Sequence, residues 1–102
     1  MIIYNVTLNV EDDIHTEWLE WMRNEHIPAI MQTGLFLKYK IFKIISETEE
    51  TTGFTYAIQY SLKDVKDFLT YSDLHAPRLQ KQSHDKYGQR VLAFRTLLEE
   101  VE

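Results

Sequence analysis

A strict alternation of apolar and polar side chains marks the first strand of the chain. Over residues 2–10 every second position is apolar, which is the period of a β-strand. Residues 35–45 and 54–61 repeat the alternation, and residues 90–98 supply a further strand. On residues 54–61, the face that begins with Phe54 is uniformly aromatic or aliphatic and is predicted to be core. The pattern therefore predicts four strands.

Apolar residues at helical spacing occupy the two intervals between these strands. In the first interval, Asp12 and Asp13 suit a helix start, and in the second, Ser61 or Asp64 can cap the helix. The apolar stripes are Ile14, Trp18, Trp21 and Met22, followed in the second helix by Val65, Phe68, Leu69 and Tyr71.

Both helices run into a His-x-Pro step, at residues 26–28 and 75–77. Proline has no N–H to donate and biases the preceding residue away from the α region, so the first helix is expected to stop or kink near residues 24–27. A short helical extension then follows each proline. Gly34 and Gly88 are expected to close these extensions.

The resulting order is strand, helix, strand, strand, helix, strand. Residues 1–46 and 53–102 read as two βαβ copies of one unit, joined by a polar hairpin loop at 47–53. This order predicts an α+β fold of the ferredoxin-like βαββαβ type, with a four-stranded antiparallel sheet and both helices on one face. Residues 1–102 are predicted to form a single domain.

The second face of such a sheet has no helix to cover it. It mixes polar and apolar residues, and the outer strands add aromatic side chains, so it is too apolar to be fully solvated. We expect a second copy of the chain to pack there, forming a homodimer of the dimeric α+β barrel type. Polar side chains predicted to point to this side, where they bond across the interface or orient a ligand, are Asn5, Thr7, Gln59 and Arg95.

Composition narrows the possible functions. The net charge of -5 and the pI near 5.3 argue against general nucleic-acid binding, which needs clustered Lys and Arg. The chain has no Cys, which fits a reducing cytoplasm and excludes thiolate chemistry. The amino-terminal residues resemble neither a signal peptide nor a membrane span. We therefore expect a cytoplasmic protein without contact with nucleic acid or membrane, and no cofactor is indicated.

His26 is the candidate catalytic residue, because an imidazole titrates near neutral pH and can act as an acid or base. The alternative is that His26 caps a helix end, since His75 repeats its position. A closed cavity above about 300 Å³, with His26 facing it, would favour the site. Residues predicted to contact a small ligand are Trp18, Trp21, Asn5, Gln59, Tyr56, His75 and Arg95.

Two reservations accompany this site. Trp18 and Trp21 lie on the apolar helical stripe, where a Trp is often simply core. A metal would require His26, His75, His84 and Asp85 to meet in space, and no pair has the spacing of a helical zinc site. No metal is therefore predicted.

Several separated motifs resemble a family of short bacterial proteins, domain-of-unknown-function family 4286. They agree in order over nearly the whole chain and are residues 1–7, 18–28, 56–60, 75–79 and 93–96. More distantly, the layout is similar to the dimeric α+β barrel superfamily, which includes cofactor-independent monooxygenases and isomerase-like proteins. Members of that superfamily often carry a His and a Pro near the end of the first helix beside a pocket, as His26 and Pro28 do here.

The resemblance implies a small homodimeric protein that binds a small molecule between helices and sheet. One alternative is a cofactor-independent monooxygenase- or isomerase-like enzyme that uses His26 as acid or base. The other is a structural or protein-interaction module without a ligand. The fold supports a pocket and a dimer but specifies no reaction.

Overall fold

The computed structural model describes residues 1–45 and 53–102; most of the predicted loop at 47–53 lies outside these residues. Within the described ranges, one antiparallel sheet has the strand order β2-β3-β1-β4. The strands are β1 (Ile2–Val10), β2 (Lys38–Lys43), β3 (Phe54–Leu62) and β4 (Val91–Glu99). The order and the helices between the strands confirm the ferredoxin-like α+β prediction.

The register of the central strand decides which side chains face the helices. Val6 on β1 lies opposite Ile58 on β3 and opposite Arg95 on β4. Because residues directly opposite each other share a face, these three side chains point to the same side of the sheet. That side carries the buried residues of β1 and β3, so it is the helix side.

The first helix was expected to stop or kink near residues 24–27, and in the structure the chain stays helical through them. A 3-10 turn (Asp12–Ile14) leads into α1 (His15–Trp21), a π-helical turn (Met22–His26) and α2 (Ile27–Met31). Neither Asp12 nor Asp13 caps the helix; both lie within the 3-10 turn, after Glu11.

The π turn explains why the chain stays helical through residues 24–27. The Ile27 N–H donates to the Met22 carbonyl, five residues earlier, in the pattern of a π-helix. In a regular α-helix the Pro28 ring would clash with the carbonyl of Asn24. The wider turn relieves this conflict and leaves Pro28 in the first turn of α2, where its missing N–H costs little.

The second helix ends at the predicted position, at its His-x-Pro step. Asp64 caps α3 (Val65–Leu74) by accepting from the Asp67 N–H, at 3.2 Å. His75, with φ −123° and ψ −38°, separates α3 from α4 (Ala76–Tyr87). Gly88, at φ 57°, then closes α4 and begins a 3-10 turn (Gly88–Arg90) before β4. The two His-x-Pro steps therefore have different backbones.

The core between the sheet and the helices is rich in stacked aromatic rings. Tyr4 contacts Phe36, Tyr60 and Tyr71, with ring centroids 6.2, 5.9 and 5.8 Å apart. Burying each large apolar side chain contributes about 1.5–3 kcal/mol, so this cluster is a main source of stability. No helix in residues 1–45 and 53–102 is long and apolar enough to span a membrane.

Candidate functional site

A cavity of about 250 Å³ lies between the helical layer and the sheet. Its sheet wall is formed by β1, β3 and β4, and its helical wall by the π turn, α2, α3 and α4. The volume falls below the roughly 300 Å³ expected of a ligand site, and the cavity is partly open to solvent, so the space suits only a molecule smaller than a typical ligand. Lining residues from these elements include Tyr4, Val6, Ile58, His26, Leu79 and Arg95.

His26 belongs to the cavity wall and does not cap a helix. It lies within the continuous helical run, and its side chain makes no capping hydrogen bond. Its imidazole stacks on Trp21 with ring centroids 4.8 Å apart. The Nδ1 atom is buried and has no hydrogen-bond partner among the described residues. Such a group is costly unless a ligand or water satisfies it.

The surroundings of His26 keep its imidazole neutral. Burial is the main cause that lowers the pKa of His26, and the nearby positive charge of Arg95 is the second; together they bring it from 6.5 to about 4. At pH 7 the ring therefore carries one N–H donor and one free acceptor nitrogen. It can hydrogen-bond a ligand, but it is a weaker proton acceptor than an unperturbed histidine.

Arg95 faces the cavity, so its predicted orientation toward the uncovered face is wrong. Its position opposite Val6 places it on the helix side of the sheet. The alternation of β4 separates two faces but does not say which one meets the helices, because both faces carry large apolar residues. Burial raises the pKa of the Tyr4 hydroxyl, and the nearby charge of Arg95, together with the polar side chain of Gln80, partly offsets this rise.

The permanent charge in the cavity lining is positive. Its lining contains one arginine and no aspartate, glutamate or lysine in the part of the chain that the structure describes. Tyr4, Tyr60 and Tyr71 also line it, and burial raises the pKa of each phenol, so all three are neutral at pH 7. The cavity thus combines apolar walls with a single permanent positive charge.

Three of the predicted ligand contacts pack beside the cavity without lining it. Trp18 is fully buried in the core and contacts Tyr56, with ring centroids 5.5 Å apart. The Tyr56 hydroxyl is hydrogen-bonded to His15 Nε2. Trp21 lines a shallow surface groove behind His26, together with Glu25, Gln82, Asp85 and Lys86. His26 is therefore the wall between this groove and the cavity.

The remaining predicted contacts lie farther away. Asn5 and Gln59 are opposite each other on the uncovered face, and the Gln59 amide donates to Asn5 Oδ1 at 3.3 Å. Asn5 also donates to the Thr7 hydroxyl at 3.0 Å. His75 stacks on Tyr71, at 6.4 Å between ring centroids, and is not a lining residue.

Helix α4 contributes polar lining residues that were not predicted from the sequence. Gln80, Ser83 and His84 line the cavity. Part of their signal was present, because Ser83 lies four residues after the buried Leu79 and Gln80 lies three residues before Ser83, which are the spacings of one helix face. Among the described residues, no group of three or more His, Asp or Glu side chains is arranged to hold a metal ion.

The strand order, the helices on one side and the cavity between the two layers define a ferredoxin-like α+β protein. An ethyl tert-butyl ether d (EthD) family protein from Bacillus halodurans has this fold, with a TM-score of 0.73 and 14% identity over 99% of this chain and 100% of its own. A proposed antibiotic biosynthesis monooxygenase from Deinococcus radiodurans has a TM-score of 0.64 and 16% identity, over 100% of this chain and 94% of its own. A dimeric ferredoxin-like protein from an uncultured marine organism has a TM-score of 0.55 and 12% identity, over 98% of this chain and 97% of its own.

The chain belongs to the family described as domain of unknown function (DUF4286), whose model matches residues 1–101. This match confirms the family resemblance noted from the separated motifs. No curated protein matches the chain in sequence. At the identities given above, the solved structures show the fold alone and carry no activity over to this chain.

Proposed function

We propose that the protein binds a small molecule in the cavity between the helices and the sheet. The observation that carries this proposal is that His26, from the helical wall, and Arg95, from the sheet wall, line the same cavity. His26 has a buried nitrogen without a partner, and Arg95 forms no ion pair within residues 1–45 and 53–102. A ligand with complementary polar groups would satisfy both side chains.

The proposal includes a homodimer formed through the uncovered sheet face, in the cytoplasm. That face carries large apolar side chains in contact with solvent, including Phe94, which is 70% exposed, and Leu92, which is 51% exposed. Phe42 and Leu98 on the outer strands extend the exposed apolar surface across the sheet. A neighbouring fold described as a dimeric ferredoxin-like protein supports this assembly.

A second candidate is a cofactor-independent monooxygenase- or isomerase-like enzyme. One observation favours it: His26 is the last residue of a π-helical turn, a feature frequent at functional sites, and lies in a cavity wall. In this case the neutral imidazole takes a proton from a bound substrate. A His26→Gln variant that turns over a ligand at the wild-type rate would remove this candidate.

A thermal-shift screen tests the binding proposal. A ligand at 100 times its Kd stabilises the folded state by about 2.7 kcal/mol, which raises the Tm measurably. Ser83 lines the cavity, whereas Ser72 lies exposed on α3, so Ser83→Phe and Ser72→Phe form a matched pair. We expect the shift to disappear in Ser83→Phe and to persist in Ser72→Phe.

Two outcomes of the screen contradict the proposal. A ligand that stabilises both serine variants equally binds outside the cavity. A broad library without any stabilising ligand would favour the remaining alternative, a structural or protein-interaction module.

A further inference from the structure

Arg95 stands at the edge of the cavity that meets solvent. Its side chain is exposed, yet it also lines the cavity. The walls further inside are apolar and buried, as at Val6, Ile58 and Leu79. The positive charge therefore lies at the mouth of the cavity, and the apolar walls lie farther inside.

Among the described residues, no carboxylate forms an ion pair with Arg95. The ion pairs in the described ranges join Lys81 to Asp85, and Arg90 to Glu11 and Asp13, and none involves Arg95. The positive charge of Arg95 acts on two neutral groups, the Tyr4 hydroxyl and the His26 imidazole, and lowers the pKa of each. The chain carries a net charge of -5, yet no carboxylate of the described residues lines the cavity that Arg95 faces.

We infer that the ligand is a small monoanionic carboxylate with an apolar or aromatic body, bound with its carboxylate on Arg95 and Tyr4 and its body among the inner apolar walls. This inference rests on the proposed small-molecule function and specifies its ligand class. A guanidinium presents parallel N–H donors that match the two oxygens of a carboxylate. The Tyr4 hydroxyl, already beside the guanidinium, is placed to donate a further bond.

Size supports a small single anion. The cavity holds about 250 Å³, which is less than a drug-sized ligand needs. A second negative charge would find no second permanent cation among the described lining residues. The inner walls then contact the apolar body of the ligand, and Arg95 at the mouth orients its carboxylate.

Benzoate and its uncharged counterpart benzamide are suitable probes, because they share size and shape and differ in charge. Ligand-observed NMR titration at pH 7 gives the Kd of each with the full chain. We expect benzoate to bind about tenfold or more tightly than benzamide, as a charge-assisted hydrogen bond provides. Arg95→Gln is expected to weaken benzoate by a similar factor and to leave benzamide within about twofold of its wild-type Kd.

Two variants test whether the preference for benzoate depends on the position of the positive charge or on the net charge of the protein. Arg23→Gln removes the same charge from an exposed residue that does not line the cavity, and it should leave the preference for benzoate intact. Arg95→Lys keeps the charge but loses the paired donors, and it should restore part of the affinity lost in Arg95→Gln.

The outcomes distinguish this inference from the proposed function. Equal binding of benzoate and benzamide by the wild type would overturn the carboxylate assignment while leaving small-molecule binding in place. An unchanged benzoate Kd in Arg95→Gln would do the same. Absence of binding by both probes at millimolar concentration would overturn both the assignment and the cavity function.

Discussion

The indole of Trp21 lies against the imidazole of His26, with ring centroids 4.8 Å apart and ring planes inclined by 23°. In an α-helix, side chains three or four positions apart share a face. These two residues are five apart, and the π turn between them adds the extra residue that brings them together. The local backbone conflict around Pro28 thus places His26 between the surface groove and the cavity.

The lowered pKa of His26 predicts a loss of stability in mild acid. The folded state has a pKa of about 4 against 6.5 for a free imidazole, so below pH 6.5 the unfolded state binds more protons than the folded state. The free energy of unfolding contributed by His26 is fully present above pH 6.5 and falls as the pH drops toward 4. Between pH 6.5 and 5 the expected loss is about 1.5 kcal/mol, measured by urea unfolding.

His26→Gln should flatten this pH dependence, because glutamine does not titrate. His84→Gln is the matched control, since His84 is exposed on α4. A wild-type free energy of unfolding that stays constant between pH 6.5 and 5 would contradict the burial of a neutral His26.

Removing the Trp21 ring should raise the pKa of His26. In Trp21→Ala, water reaches the imidazole, and burial is the main cause of the lowered pKa. We expect the His26 pKa to move from about 4 toward 6.5, as followed by the imidazole C–H signals in an NMR titration. An unchanged pKa would show that Trp21 does not shield His26 in solution.

An acidic substitution on the uncovered sheet face should break the proposed homodimer. Phe94 is 70% exposed on this face, and Leu69 is 61% exposed on α3, on the other side of the molecule. Light scattering at micromolar concentration should give about twice the 12.2 kDa chain mass for the wild type and for Leu69→Asp. Phe94→Asp should give a monomer, because a carboxylate buried at an interface loses its hydration. A monomeric wild type would overturn the dimer.

Two glycines with the same backbone conformation should differ in their tolerance of alanine. Gly34 and Gly53 have φ of 79° and 81°, in the left-handed region that favours glycine. A Cβ at Gly34 meets nothing, whereas a Cβ at Gly53 overlaps the Val10 carbonyl. We expect Gly34→Ala to cost about 1 kcal/mol and Gly53→Ala at least about 1 kcal/mol more, measured by chemical denaturation. Equal losses would contradict the close approach of Gly53 to β1.

Much of the fold was predictable because its strands alternate cleanly. Residues 2–10 form β1 with the predicted bounds, since one face is buried and the other is not. The first helix was expected to stop or kink near residues 24–27, and it does not stop, because a π turn that the prediction did not consider accommodates the missing N–H of Pro28. At His75 the same reasoning succeeded, because no such turn precedes Pro77.

The site was only partly predictable. His26 could be found from its chemistry and its place before a proline, and the structure puts it in the cavity wall. The orientation of Arg95 depends on which face of β4 meets the helices, and only the pairing with Val6 decides this. Trp18 was ambiguous for a different reason, since a core residue and a pocket residue have the same apolar helical spacing.

Backbone amide shifts recorded during titration with the most stabilising compound from the thermal-shift screen test the cavity as the binding site most directly. The cavity site predicts that the largest shift changes fall at Tyr4, His26 and Arg95, in the walls of the cavity. Changes confined to Asn5 and Gln59 on the uncovered sheet face, with none at His26, would contradict it.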